Sequence, residues 1–183
     1  MEPGHAAAEL ARAEQMRAVL TRSLHLPSRF HESIGAAVAV QIAATSYALT
    51  RSTMGVAVLA PLVGGVVVFV VVAAVQLERF RRLNGVWVGG LASRAVLGSS
   101  HLSSTAYGAS LAASGWAASS GLGWLAVTAA AVGGTCYALI GRRWWAAYLR
   151  EPAQHAQGPS LLYAAGSFVV AFAAFVVVAR GRW

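Results

Sequence analysis

The chain has 183 residues, of which 57% are hydrophobic and only 11% are charged. A soluble domain carries about 25% charged residues, so this composition excludes an ordinary soluble globular protein and indicates a chain that contacts lipid. The charged residues are 14 arginines and six glutamates, with neither lysine nor aspartate.

Residues 1–32 are expected to be a cytoplasmic N-terminal helix and linker. A helix is predicted over residues 5–24, with Leu10, Met16 and Leu20 on a loose apolar face and arginines spread around it. The segment lacks the apolar core of a signal peptide, so the first membrane span is expected to insert the chain. We expect this amphipathic helix to lie on the inner leaflet, where its arginines contact anionic lipid. A docking helix for a protein partner is the alternative.

Uncharged stretches beyond residue 32 predict five membrane spans, because each crossing needs about 20 mostly apolar residues. The 47 uncharged residues from Ala95 to Gly141 are long enough for two crossings, with a turn at Ser119–Gly123. We therefore predict an all-α fold, a polytopic membrane helix bundle in which residues 33–183 form the transmembrane domain. The predicted spans lie near 33–50, 54–77, 98–118, 122–141 and 161–179. Residues 83–97 are too short to span and contain Arg94, which predicts an interfacial or re-entrant segment.

The arginines predict the orientation of these spans, because cytoplasmic loops are enriched in positive charge. With the N-terminus inside and the C-terminus outside, 11 arginines and all six glutamates are on the inner side, against three arginines outside. The tryptophans agree, since Trp116 and Trp124 flank the outer turn and Trp144 and Trp145 lie at the inner interface. The expected location is the cell membrane, with several passes.

Small residues dominate the third and fourth spans. Gly108 and Ala112, and Ala129 and Gly133, have the small-xxx-small spacing that lets membrane helices approach closely. The second span instead carries a run of bulky residues at 66–72, which suits a lipid-facing surface. We therefore expect the third and fourth spans at the centre of the bundle, with the second and fifth nearer lipid.

Polar side chains gather at the start of the third span and continue along it. Ser103, Tyr107, Ser110 and Ser114 share one helical face. With Gln41 of the first span they form a predicted polar path, whose remaining members are Arg94, Ser99, Ser100, His101 and Ser104. This pattern indicates either a small wet cavity or hydrogen bonds between helices.

The spans contain no carboxylate, and no motif of a hydrolase, metalloprotease or nucleotide-binding loop occurs. The single cysteine, Cys136, excludes a disulfide framework and a multi-cysteine metal cluster. We thus expect no catalytic residue, cofactor, metal or nucleic-acid partner. The favoured function is a non-enzymatic assembly, accessory or regulatory subunit that meets a protein partner or a second copy through its small-residue helices. The alternative is a small channel or transporter for a neutral or anionic solute along the polar path.

Overall fold

The computed structural model describes residues 23–50, 55–85 and 101–150, together with positions 9, 11, 12, 15 and 16. These residues form four helices: α1 (Phe30–Ala48), α2 (Val56–Asn84), α3 (His101–Ser119) and α4 (Gly123–Arg150). The five separate N-terminal positions are also helical. No strand occurs within the described residues, so the all-α prediction is confirmed for them. The fifth predicted span, 161–179, and most of the predicted interfacial segment, residues 86–97, lie outside the described residues.

The four helices coincide with the first four predicted spans to within a few residues at most ends, and α2 and α4 run seven and nine residues past the predicted ends at 77 and 141. Two of them, α2 and α4, are long and apolar enough to cross a membrane by length and composition. The predicted turn between the third and fourth spans is present. Gly121 adopts a left-handed conformation there, and the amide of Leu122 donates a hydrogen bond of 2.9 Å to the carbonyl of Ala117, which ends α3.

Successive helices run in opposite directions, as three contacts show. Ser33 near the start of α1 meets Gln76 near the end of α2. The start of α1 meets the later part of α4 through the ion pair of Glu32 with Arg142. The end of α3 meets the start of α4, where Ser114 bonds to Ala126.

Helices α1 and α4 form the centre of the bundle. Helix α1 packs against α2, α3 and α4, whereas the main contacts of α2 are with α1 alone. The expected pairing of the third and fourth spans is present, but α1 is the helix whose main contacts are with all three others, whereas those of α3 are with α4 and, less extensively, with α1. Backbone approach between two glycines, one in α1 and one in α4, allows this arrangement.

The core is a stripe of α1 side chains that recur every four residues, which places them on one helical face. Ile34, Val38 and Ile42 are almost completely buried, and Ala130 and Tyr137 of α4 and Ala73 of α2 pack against them. In a bilayer such side chains would gain no hydrophobic driving force from packing together, because lipid tails are equally apolar, and van der Waals contacts would hold them together instead.

The outward face of α2 is a continuous surface of branched side chains. Its valines are exposed over most of the helix: Val56, Val63, Val66, Val67, Val68, Val70, Val71 and Val75. This is the surface that the run of valines predicted for contact with lipid.

Candidate functional site: the arginine-rich end of the bundle

The antiparallel arrangement brings charged side chains to one end of the bundle. Within residues 23–150, the described charged side chains all lie where α1 and α3 begin and where α2 and α4 end. They are Arg29, Glu32, Glu78, Arg79, Arg81, Arg82, Arg142, Arg143 and Arg150. The opposite end and the sides of the four helices carry no charged residue within the described part of the chain.

Two glutamates neutralise some of these arginines. Glu78 accepts a hydrogen bond of 2.9 Å from Nε of Arg82 and lies 3.8 Å from Arg81, one helical turn away. The hydrogen bond from Arg82 lowers the pKa of Glu78. Glu32 of α1 pairs with Arg142 of α4. A hydrogen bond from its own backbone N–H, assisted by Arg142, lowers the pKa of Glu32.

Four arginines of the helical bundle, Arg29, Arg79, Arg143 and Arg150, form no ion pair with any residue that the structure describes. All four are exposed to solvent. Arg29 precedes α1, Arg79 lies in α2, and Arg143 and Arg150 lie in α4.

Arg29 is also strained. Its backbone is left-handed, with φ 58° and ψ 26°, and it is the only non-glycine residue with positive φ among those described. This conformation costs an L-residue roughly 1–2 kcal/mol. Arg29 also caps the N-terminus of α1 without a side-chain hydrogen bond to the helix, where a positive charge opposes the helix dipole.

The segment before α1 is tied across the end of α2 by a single side chain. The amide of Asn84 accepts a hydrogen bond of 2.8 Å from the backbone N–H of His25 and donates one of 2.9 Å to the His25 carbonyl. Leu24 and Leu26 of this segment then pack against the aromatic side chains below. Asn84 therefore holds residues 23–29, and with them Arg29, against the bundle.

Four aromatic side chains, here called the aromatic collar, join α2 to α4 at this end: Phe80, Trp144, Trp145 and Tyr148. Phe80 meets Trp145 edge to face at 6.5 Å, and Tyr148 stacks on Trp144 at 5.5 Å and on Trp145 at 5.8 Å. Such pairs add about 0.5–1.5 kcal/mol beyond area burial. Trp145 is buried in this cluster, so its ring packs between α2 and α4 and does not face outward. The predicted position of Trp144 and Trp145 at the inner membrane interface stays a prediction.

His31 is the buried ionisable group at this end, with 9% of its surface exposed and no hydrogen-bond partner for Nε2. Its ring stands edge to face against Phe30 and fits against Gly141 of α4, where an added Cβ would lie 2.9 Å from Nδ1. Burial lowers the pKa of His31; the neighbouring Arg142 also lowers it, and Glu32 opposes both.

Gln76 is a second buried polar side chain, on the α2 side of α1. Its Nε2 donates a hydrogen bond of 2.7 Å to Oγ of Ser33, and its Oε1 has no hydrogen-bond partner. A buried polar atom without a partner costs about 1–3 kcal/mol. Gln76 and His31 were not singled out from the sequence, although each lies close to the end of an expected span and Gln76 stands between Val75 and Leu77.

The predicted polar path is divided between two interfaces. Ser103 and Ser114 are buried and Ser110 is half-buried on the α3 face toward α4, where Oγ of Ser114 donates a hydrogen bond of 2.9 Å to the carbonyl of Ala126. Tyr107 and Ser104 are half-buried on α3. Gln41 lies at the contact of α1 with α2, where an added Cβ on Gly65 would stand 3.2 Å from its Cα. His101 begins α3; its side chain and Arg94, Ser99 and Ser100 lie outside the described residues.

Among the predicted packing residues, Gly133 is at a helix contact, since an added Cβ would collide with Ser110. Gly108 and Ala129 are half-buried and Ala112 is exposed. The closest backbone approach was not foreseen: it joins Gly35 and Gly134. Both glycines are followed four residues later by an alanine, Ala39 and Ala138, so the small-xxx-small spacing was present in both helices and was the signal for this contact.

The outer face of α4 borders an open cavity of about 370 Å³. Its lining is mostly small or hydroxyl-bearing: Val127, Thr128, Ala131, Val132, Thr135 and Cys136. The hydroxyls of Thr128 and Thr135 donate hydrogen bonds of 2.9 Å to carbonyls one turn earlier in α4. This face therefore offers an apolar groove with its polar atoms already satisfied.

Over the described residues, no group of three or more His, Cys, Asp or Glu side chains is placed to hold a metal ion. Comparison with protein-family models, with curated proteins and with solved structures finds no significant match to this chain.

Proposed function

We propose that this chain is a multi-pass protein of the cell membrane that acts as a non-enzymatic assembly, accessory or regulatory subunit of a membrane complex. The observation that carries the membrane location is the distribution of charge. The described helices keep their charged residues at one end, and the sides of the bundle present apolar side chains such as the valines of α2. Exposure of so large an apolar surface to water is unfavourable, whereas its contact with lipid tails is not.

The proposed topology has five spans, with the N-terminus in the cytoplasm and the C-terminus outside. The alternating directions of α1 to α4 support it, because they place Arg79, Arg81 and Arg82 on the same side as Arg142 and Arg143. Positive charge marks the cytoplasmic side of membrane proteins. The fifth span at residues 161–179 rests on its uncharged, apolar sequence.

The role as a subunit is supported by the outer face of α4. Small residues such as Ala131 allow another helix to approach closely. The threonine hydroxyls already donate hydrogen bonds within α4, so they need no acceptor on the partner. We propose that a transmembrane helix of a partner protein occupies this groove. The predicted fifth span of the same chain and a second copy are the competing occupants.

Affinity purification in mild detergent tests this role, with the Ala131→Leu variant compared with the parent. We expect a stoichiometric partner that is lost in Ala131→Leu, because leucine fills the groove. Val70→Leu is the matched control, since Val70 is exposed on α2 and away from the groove. Recovery of the same proteins with Ala131→Leu, or of none with the parent, would count against a partner at this face.

Cys136, the single cysteine of the chain, separates the competing occupants. Oxidative cross-linking of the unmodified protein yields a disulfide-linked dimer only if a second copy places its own Cys136 opposite. A cysteine introduced at Phe168 or Phe172 forms an intramolecular link if the fifth span fills the groove. Either cross-linked product would show that a second copy or the fifth span, and not a partner protein, occupies the groove.

The channel or transporter remains the second candidate, and the buried serines of α3 are the observation in its favour. The hydrogen bond from Ser114 to Ala126 uses one of these hydroxyls to join helices instead. Solute flux in liposomes distinguishes the two functions, because a subunit without a path leaves flux at the level of protein-free vesicles.

A further inference from the structure

We propose that Arg29, Arg79 and Arg143, here called the arginine girdle, form a docking surface for the phosphate groups of anionic phospholipids. This inference rests on the proposed membrane location, and it assigns to three residues a contact that bulk charge alone does not specify. The partner is a lipid headgroup in the leaflet that meets the arginine-rich end.

The three arginines stand at nearly the same height along the bundle. Gln76 of α2 is level with Ser33 of α1, because their side chains share a hydrogen bond, and Arg79 lies three residues beyond Gln76. Arg142 of α4 is level with Glu32 of α1 through their ion pair, and Arg143 follows it. Since a helix rises about 1.5 Å per residue, both arginines lie within about one turn of Arg29. Three arginines at one height match the plane of headgroups in a bilayer.

The girdle also differs from its neighbours in charge balance. Arg81 and Arg82 share Glu78, and Arg142 is paired with Glu32. Arg150 is also unpaired, but it lies seven residues beyond Arg143, about 10 Å further along α4 and so outside this level. The girdle arginines have no carboxylate partner within the described residues and are exposed. They are therefore available to an external anion, and a guanidinium binds phosphate through two parallel hydrogen bonds.

Arg29 carries the strongest indication, because its position is unfavourable for the protein alone. A left-handed backbone and a positive charge at a helix N-terminus both oppose folding at this residue. Glycine would relieve both. Strain of this kind at a defined residue points to a function that compensates for it, and an anionic headgroup beside the guanidinium supplies that compensation.

The aromatic collar places the girdle at the right depth. Trp144 is adjacent to Arg143 in sequence, and Phe80 follows Arg79. Their rings join α2 to α4 at the same level. Trp144 and Tyr148 are the half-buried members of the collar, and tryptophan and tyrosine favour the boundary between hydrocarbon and headgroups. Arginines beside them are therefore at the depth of the phosphates.

The test measures lipid preference around the full-length protein reconstituted in bilayers of phosphatidylcholine and phosphatidylglycerol. Quenching of tryptophan fluorescence by one lipid carrying brominated chains gives the binding constant of the anionic lipid relative to the neutral one. We expect a preference for phosphatidylglycerol in the parent and near-equal binding in R29Q/R79Q/R143Q. An arginine at the surface contributes about fivefold at its own contact.

The matched control is R81Q/R82Q/R142Q, which removes the same number of arginines from the same end but takes them from the ion pairs. We expect it to keep the preference. Equal losses in the two triple variants would show that net charge alone sets lipid preference and would overturn the girdle. An unchanged preference in R29Q/R79Q/R143Q would overturn it as well.

A single substitution keeps the proposal falsifiable if the triple variant fails to fold. Arg29→Gly is expected to raise the melting temperature in neutral detergent, because strain and dipole repulsion disappear, and to weaken the preference for phosphatidylglycerol. A lower melting temperature would assign Arg29 a structural role and contradict the proposal. Arg29→Lys, which keeps the charge, is expected to retain most of the preference.

Two further outcomes of the quenching experiment distinguish failure of the membrane location from failure of the girdle. Absence of quenching by either brominated lipid would contradict the membrane location itself, whereas strong but equal quenching by both would contradict the girdle alone. Excess inorganic phosphate, compared with another salt at the same ionic strength, is expected to leave the preference for phosphatidylglycerol unchanged. Loss of that preference under phosphate alone would show that the girdle binds free anions and would overturn the assignment to lipid.

Discussion

Gly35 of α1 and Gly134 of α4 lie backbone against backbone: a Cβ added to Gly35 would stand 2.5 Å from the carbonyl oxygen of Gly134. No side chain larger than hydrogen fits between the two helices here. The contact extends to Ala39 and Ala138, whose methyl groups lie 2.7 Å and 2.8 Å from the positions of the added Cβ atoms. This crossing lets α1 and α4 become the centre of the bundle.

Gly134→Ala is expected to lower the free energy of unfolding by about 1–3 kcal/mol, because the methyl group forces the two helices apart. Gly64→Ala is the matched control, since an added Cβ there meets nothing within 4 Å. The control gains about 0.5–1 kcal/mol, because alanine loses less conformational entropy than glycine when the helix forms. Thermal melts in one detergent, followed by circular dichroism, compare the two; shifts of the same sign would contradict the close crossing.

His31 is expected to make stability depend on pH. Burial first, and then Arg142, lower its pKa below the ordinary value of about 6.5, while Glu32 of the same helix opposes them. Between the lowered pKa and 6.5 the unfolded chain binds more protons than the folded one. The contribution of neutral His31 to stability is therefore complete above about pH 6.5 and is lost as the pH falls through the lowered pKa.

Melting temperatures of the parent and of His31→Gln between about pH 5 and 8 check this dependence. We expect the melting temperature of the parent to fall with pH below 6.5 and that of the variant to stay flatter. His25→Gln serves as the control, because His25 is exposed. Parallel curves for the parent and His31→Gln would assign the pH dependence to other groups.

Ser33 and Gln76 are expected to behave as a coupled pair. Ser33→Ala leaves the buried Nε2 of Gln76 without its acceptor, and we expect a loss of about 1–3 kcal/mol in the free energy of unfolding. Gln76→Leu removes the unpartnered Oε1 together with the hydrogen bond, so its effect is expected to be close to neutral. A double-mutant cycle measures the coupling; additive losses would show that the hydrogen bond contributes nothing.

The proposed orientation is tested by thiol labelling of intact cells in a Cys136→Ser background. An impermeant reagent is expected to label Arg51→Cys, in the outer connection between the first two spans, and not Arg82→Cys, at the arginine-rich end. The opposite pattern would invert the topology. Labelling of both positions would contradict the helical hairpin.

The amino-acid sequence by itself determined the helical class, the positions of the four described helices and the turn at Gly121. Those features depend on local patterns, because uncharged runs of about 20 residues and glycine in a left-handed turn carry their own signal. The segregation of arginines along the chain was equally visible, since helices that alternate in direction must bring Arg79 and Arg143 to the same end.

Tertiary structure alone decided which helix faces meet. Small-residue spacing occurs in α1, α3 and α4, and spacing within one helix does not name its partner; the backbone contact of Gly35 with Gly134 does. The same limit separated Gln41 from the serines of α3, which the polar pattern had grouped together. Ion pairing was also undecided by sequence, because Glu32 and Arg142 are 110 residues apart. Only their approach in space shows that Arg142 has a carboxylate partner, whereas Arg29, Arg79 and Arg143 have none among the described residues.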